Sequence, residues 1–407
     1  MAERKGSMAY FVLAVCTGLN IVSRGIAESF AVFLLPLSHE FNASRSDTTL
    51  TYSVFMLALG LSSPLTGWAV DRYGPQRVYQ GGLALSALAC LLASFAPTLA
   101  VVYLTIGVLL PLGISSMGTI AASNLVSRWF KTGLPTAMGL LAAALGTGIL
   151  IFAPISQTLV DRFGWRNAYA LLAAFLLTLW CVQFALPWGQ MRAGAASPLG
   201  KSAGHGLRGL VRLAVFSPMF WALFGIMFVT SVSTYAITVQ LIAYLVWVGL
   251  SPIDAAWVFG ASGLASILGM LGAGYLAKQW GEFKVASLSY TATVMGLVLL
   301  GLYQSMSSWG LLLGFVLLFG AMQGSRGPLV AVLAARSFSG SNQSTMYGLV
   351  LIGMGLGGAL GSWASAAFFD RFQSYLPMLL LSVAAALAGW SIFWWMTGST
   401  RLPQLHN

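Results

Sequence analysis

GWAVDRYGPQR, residues 67–77, sets an aspartate and two arginines in one glycine-bounded turn, flanked on both sides by apolar runs of roughly the length of a membrane-spanning helix. Gly67 and Gly74 allow close chain approach and a tight turn, and the charges mark where the chain leaves an apolar medium. The Asp-Arg-aromatic-Gly pattern returns in LVDRFGWR, residues 159–166, and its start returns in FFDRF, residues 368–372. A polar turn recurring between apolar runs points to a helical membrane protein built from repeated units.

The composition agrees. Hydrophobic residues make up 58% of 407 positions and charged ones 7%, against about 45–50% and about 25% in a soluble domain. Twelve apolar runs reach the roughly 20 residues of a spanning helix. Spans 1 to 12 are expected over 9–37, 47–70, 77–96, 98–127, 134–160, 165–187, 217–249, 253–277, 284–304, 308–335, 344–369 and 373–396. The alternating short segments of a membrane barrel are absent. The first run is too long and too charged for a cleaved signal and reads as span 1.

The three cysteines (Cys16, Cys90, Cys181) lie in spans and read as packing residues. The three histidines fall in loops or the tail, without ligand spacing, so no metal or cofactor is expected. A formal net charge of +11 raises the possibility of nucleic acid, but its distribution is a topology signal. Fourteen of the twenty lysines and arginines lie on the side of the N-terminus, four (Arg45, Arg162, Arg166, Arg371) on the opposite side, and two, Arg24 and Arg326, inside spans. The positive-inside rule then places both termini in the cytoplasm of a multi-pass protein of the cytoplasmic membrane.

Residues 187–218 form the one long polar stretch and divide the chain into a six-helix bundle at 1–187, a linker at 188–216 and a second bundle at 217–407. The halves align. Asp47, Gly67 and Gly74 match Asp254, Gly274 and Gly281, and Gly139, Gly146 and Gly148 match Gly348, Gly355 and Gly357, each set at constant offset. The turns after spans 2, 5 and 11 add an echo within each half. The fold expected is all-α, two bundles of six with nested three-plus-three inverted repeats, which place the working site at the repeat interface near the bilayer midplane. An ATP-driven pump is excluded by the lack of a Gly-rich phosphate loop, and an enzyme by the lack of a nucleophile–base constellation.

GWAVDRYGPQR resembles the loop 2–3 signature of the major facilitator superfamily. The resemblance implies that Gly67, Asp71, Arg72, Gly74 and Arg77 act in gating, with the Asp71 carboxylate near a helix N-terminus of the other half. The second half departs from the pattern, with Lys278 where the repeat would put Asp71. SRWFKTGLPTAMGL (127–140), FAVFLLPLSHEFNASRSDTT (30–49) and DRFGWRNAY (161–169) are similar to the monocarboxylate transporter family and its bacterial relatives. That likeness implies a secondary carrier of small organic anions, often coupled to protons. In that family span 8 usually carries a charged pair. Span 8 of this chain carries none, so an anion must be held differently.

Ionisable groups inside a span cost about 2.5–3.5 kcal/mol each on insertion scales and need a reason. SRGIAESF, residues 23–30, holds Arg24 and Glu28 one turn apart in span 1, and FGAMQGSRGPLVAV holds Arg326 in span 10 between Gly324, Gly327 and Pro328. The glycines and proline are expected to interrupt the helix beside the charge. Arginine grips a carboxylate with two parallel hydrogen bonds. The reading is that Arg326 anchors a carboxylate, Arg24 assists and Glu28 carries a coupling proton, with Glu28 as a structural partner of Arg24 the competing reading. Asn20, Tyr52, Asn124, Tyr235, Gln240 and Gln323 are further candidate contacts, each open to a helix-packing role.

The expected function is a proton-coupled symporter of a small organic anion, first a monocarboxylate, working by alternating access as a monomer in lipid. A proton-antiporting exporter of drugs or metabolites and a sensor that kept the fold without transport stand as alternatives.

Overall fold

The computed structural model describes residues 2–130, 134–192, 216–337 and 343–399, and they are helical with no strand among them. The expected linker beyond Arg192, as far as residue 215, lies outside the described residues, as does the side chain of Asp71. Nine helices among the described residues are long and apolar enough to cross a membrane, where twelve spans were expected. The difference has identifiable causes. Spans 5 and 6 run together as Leu134–Val182, whose break is a single residue, Gly164, at φ 77° and ψ 162°. Span 3 is a 20-residue helix, Pro75–Ser94, outside that set, and span 10 is broken into short pieces.

The repeat is visible in how helices start and stop. Span 2, Arg45–Tyr73, begins at Ser44, whose hydroxyl accepts the Asp47 N–H at 3.0 Å. Span 8, Pro252–Trp280, begins at Ser251, which accepts the Asp254 N–H at 3.2 Å. Such caps satisfy N–H groups that a helix start leaves without partners. The two helices end on Gly74 (φ 80°, ψ 159°) and Gly281 (φ 84°, ψ 156°). With Gly164 these share one backbone conformation that only glycine adopts readily. The fourth junction departs: Gln373 follows Phe372 with φ 50°.

The first member of each three-helix unit is interrupted. Span 1 is Ala2–Glu28 followed by Phe30–Glu40, and span 7 is Pro218–Thr238 followed by Leu241–Trp247. Spans 4 and 10 each contain a π-helical stretch, Tyr103–Leu109 and Val316–Gly320, and each is broken again further on, before α-helices that start at Thr119 and Arg326. Thr119 and Arg326 are equivalent in the repeat, so the interruption expected beside Arg326 is a property of both halves. Such breaks mark binding sites in carriers.

Among the described residues the hydrogen bonds between the halves lie on one side. On the far side, opposite the N-terminus, four hydrogen bonds link them: Arg45 N (3.1 Å) and Ser46 N (2.7 Å) to the Asp370 carboxylate, Gln240 Nε2 to Thr49 Oγ1 (3.0 Å), and Ser53 to Ser362 (2.9 Å). One apolar core runs from the first half into the far-side ends of the second, through Leu241, Tyr244, Phe259, Phe315 and Phe369. A separate core fills the near side of the second half around Leu223, Tyr290, Val330 and Phe393. Glycines follow the same division. A Cβ on Gly355 would stand 3.0 Å from the Met56 carbonyl, and one on Gly146 would collide with the Gly263 carbonyl. Toward the near side, Gly67, Gly139, Gly272 and Gly348 have open space. Close helix approach thus holds for Gly146, Gly148, Gly355 and Gly357, and not in this conformation for Gly67.

Tryptophans near the span ends divide. Trp247, Trp280 and Trp309 are exposed, whereas Trp165 and Trp188 are buried, the latter with its Nε1 donating to Gln183 O at 2.7 Å.

Candidate functional site

Where the halves part, a cavity of about 120 Å³, in part open to the outside, lies between spans 1, 2, 4 and 11. Its polar wall is Ser23, Arg24, Ser63, Ser115 and Thr119, and its apolar wall includes Met56, Ile114, Leu351 and Met354. The break in span 4 positions part of this wall, because Gly118 ends one helix and Thr119 starts the next. Gly60 of span 2 faces Gly355 of span 11, and their lack of side chains lets the two helices converge just beyond the cavity.

Arg24 supplies the cavity with its cation. Glu28 lies one turn on, but no ion pair within 4.0 Å joins the two among the described residues. The helix stops at Glu28, and the carboxylate, buried, accepts a hydrogen bond from the Tyr52 hydroxyl at 3.2 Å. Tyr52 in turn lies 6.0 Å, centroid to centroid, from Tyr235 of the second half. Glu28 therefore sits at the seam between the halves, under the far-side closure, while Arg24 faces the cavity.

Arg326 has a different environment. It is 1% exposed and does not line the cavity. Its Nε donates to Ser289 Oγ at 3.0 Å, its Nη2 to Ser289 O at 3.1 Å and to Thr293 Oγ1, and its guanidinium lies 4.2 Å from the Tyr290 ring centroid. All three partners belong to span 9. Hydrogen bonds to a charged group are worth about 1.5–3 kcal/mol each, and a desolvated cation over an aromatic ring gains about 2, enough together to hold a guanidinium in the bundle.

The softer candidates mostly join helices. Asn20 Nδ2 donates to Leu141 O at 2.8 Å, tying span 1 to span 5. Asn124 accepts from Arg128 of its own helix at 2.9 Å, and Gln323 donates to Thr238 at 3.4 Å. Gln240 belongs to the far-side closure. Of the residues expected to act in gating, Arg72 lies beside the Trp68 and Tyr73 rings of its own span, and Arg77 is exposed. Ser23, Ser63 and Ser115 were not singled out from sequence. They carry no charge to flag them, and the small residues flanking Pro64 and Gly118 were the available signal.

Comparison with known proteins places this architecture. The family model of the Major Facilitator Superfamily matches residues 13–281 and 223–406. The MFS-type transporter YcxA of Bacillus subtilis (strain 168) is 26% identical over 394 residues, covering 94% of this chain and 93% of that protein. Monocarboxylate transporter 3 of Rattus norvegicus is 26% identical over 390 residues (94% and 79%), and monocarboxylate transporter 11 of Homo sapiens 29% over 401 (95% and 83%). Among solved structures, a bacterial homolog of the human lysosomal transporter Spinster superposes with a TM-score of 0.73 at 15% identity, covering 97% of this chain and 99% of that one. The chain is a multi-pass membrane protein and a transporter rather than an enzyme; it belongs to the major facilitator superfamily and resembles its monocarboxylate transporters.

Proposed function

We propose that the protein carries a small organic anion, first a monocarboxylate, by proton-coupled symport across the cytoplasmic membrane. The observation that carries this reading is the Arg24 guanidinium in a cavity between the halves, with no ion pair to Glu28. A cavity cation without a bound counter-charge favours an anion, and the Met and Leu wall suits a small apolar body beside a carboxylate. The anchoring role expected of Arg326 passes to Arg24, the cation that faces the cavity. Glu28 is the coupling group: protonated, it leaves Arg24 to the cargo, and ionised, it competes for the same cation. Moving an anion inward against an inside-negative potential needs such a compensating charge.

In this reading the termini side is cytoplasmic, the conformation described is inward-open, and rocking of the bundles exchanges the closed side. Asp71, Arg72 and Arg77 hold the near side when it closes. Monocarboxylate transporter relatives support the cargo class. A proton-antiporting exporter of drugs or metabolites is the second reading, favoured by the apolar wall of Met56, Ile114, Leu351 and Met354.

The test is uptake of radiolabelled mono- and dicarboxylates into proteoliposomes, with and without an inward proton gradient, for the wild type beside Arg24→Gln. Gradient-driven monocarboxylate uptake that the substitution abolishes is expected. Saturable binding of cationic dyes with no anion flux would replace this reading with the exporter.

A further inference from the structure

We propose that Asp370 is a far-side latch: its carboxylate clamps the first turn of span 2 and holds the far side shut, on one side of the molecule's pseudo-two-fold axis only. This rests on the alternating-access part of the proposed function and goes beyond it in naming the device that must release.

Spans 2 and 11 lie antiparallel in one continuous register. Ser53 meets Ser362, Gly60 meets Gly355, and at the far end Arg45 and Ser46 meet Asp370. A helix start leaves its first N–H groups without partners inside the helix. In span 2 all of the first four are satisfied: Arg45 N and Ser46 N by Asp370, Asp47 N by the Ser44 hydroxyl, and Thr48 N by the Ser44 carbonyl. Two of the four are thus satisfied only while the halves stay closed. The positive end of the helix dipole favours a carboxylate at this position. The Arg45 guanidinium adds a second grip, lying 3.7 Å from the Phe369 centroid and 5.3 Å from that of Tyr375.

The internal repeat supplies a control. Asp161 at the end of span 5 is the equivalent of Asp370, and the start of span 8 is the equivalent of the start of span 2. There the residue matching Arg45 is Pro252, at the first helical position. Proline has no N–H to offer a carboxylate, and Asp161 instead accepts from Gln157 of its own helix at 2.8 Å. Among the described residues no side-chain hydrogen bond joins the second pair of helices, which pack closely: a Cβ on Gly146 would collide with the Gly263 carbonyl, and one on Gly260 would stand 3.4 Å from the Leu150 backbone. The two interfaces between the halves therefore differ in kind: one carries a polar latch that a single carboxylate controls, and the other, among the described residues, is a close glycine-to-backbone contact.

The opposite ends of spans 2 and 11 complete the argument. The same register carried toward the near side brings Gly67 opposite Gly348, where both have open space. The pair of helices is closed at the latch and splayed beyond it, so releasing the latch is what lets the far side open.

The test is a distance measurement by pulsed electron spin resonance. Spin labels are placed through His39→Cys and Phe372→Cys, both exposed at far-side helix ends, in a Cys181→Ser background, the other two cysteines being buried. Distances are read without any cargo, so failure of anion uptake does not bear on the result. Asp370→Asn is expected to add a longer distance population, and Arg45→Pro, which removes one donor at a position where a helix start tolerates proline, to do the same. Arg45→Ala, which keeps both N–H donors, shifts less, and Asp161→Asn leaves the wild-type distribution. An unchanged distribution in both Asp370→Asn and Arg45→Pro, or an equal shift with Asp161→Asn, overturns the latch.

Discussion

Arg24 and Arg326 are both lone guanidinium groups near the middle of an interrupted span, and they end in opposite surroundings. Arg24 faces a cavity and shares its helix with a carboxylate that accepts a hydrogen bond from Tyr52 and makes no ion pair with it within 4.0 Å among the described residues. Arg326 has no acid in its own helix and is held by Ser289, Tyr290 and Thr293. The difference lies in the neighbour. Span 9 presents two hydroxyls one turn apart and a ring between them, which together satisfy a cation. The neighbours of Arg24 present a hole. A charge in a membrane span is thus a question that the facing helix answers.

The largest effect should come from stripping Arg326 of its acceptors while leaving the charge. Ser289→Ala with Thr293→Val removes two charge-assisted hydrogen bonds and should cost about 3 kcal/mol or more, read as a fall in thermal unfolding of the purified protein in detergent. Adding Arg326→Met to the same chain should restore most of it, since exchanging a buried charge for an apolar side chain of similar size is often neutral. Normal stability but lost anion uptake in that triple variant would break the comparison and return Arg326 to the cargo.

Next in size is Arg24→Gln, which removes a cavity cation. Anion binding should weaken by about 1.5–3 kcal/mol, roughly 10- to 150-fold, with a smaller change in unfolding temperature than in the Arg326 variants, because the side chain makes no ion pair within 4.0 Å among the described residues. Titration calorimetry with a short monocarboxylate reads the first, and the melting curve the second. A large stability loss with unchanged affinity would make Arg24 the structural arginine of the two.

Tyr290→Phe sharpens the account of Arg326. The ring face under the guanidinium stays, and only the hydrogen bond between the Tyr290 hydroxyl and Thr230 at 2.7 Å is lost, so a cost of about 1 kcal/mol in unfolding is expected. A cost near that of the Ser289 and Thr293 pair would mean that the hydroxyl network, not the ring, shields the charge.

The same contrast explains what was legible in the sequence. An all-helical membrane fold with an internal repeat, the glycine turns at Gly74 and Gly281 and the break beside Arg326 follow from local chemistry, in that apolar length, positive φ and missing N–H groups act within a few residues. Both arginines were visible because charge in an apolar run is conspicuous. Which one would face the cavity was not, because it depends on Ser289 and Thr293, whose hydroxyls look like any others in a span. Ser63 and Ser115 were hidden for the same reason. Asp370 was visible as part of a repeated turn, yet its role depends on a helix start more than three hundred positions away in the chain.

Glu28→Gln should have the smallest effect on stability and the most selective one on transport. The amide oxygen of glutamine can accept the Tyr52 hydroxyl bond as the carboxylate does, so folding should change less than in the Arg326 and Tyr290 variants. What the substitution removes is the proton, and with it the competition for Arg24. Counterflow exchange of labelled for unlabelled anion should therefore survive, while accumulation driven by a proton gradient is lost and the affinity for anion becomes independent of pH. Arg326 offers the matching control, since no carboxylate of its own helix shares its site, and Arg326→Met should leave the pH dependence of binding in place. Gradient-driven accumulation that persists in Glu28→Gln would mean that the proton rides with the acid itself, and the Glu28 carboxylate would then serve only the seam beside Tyr52 and Tyr235.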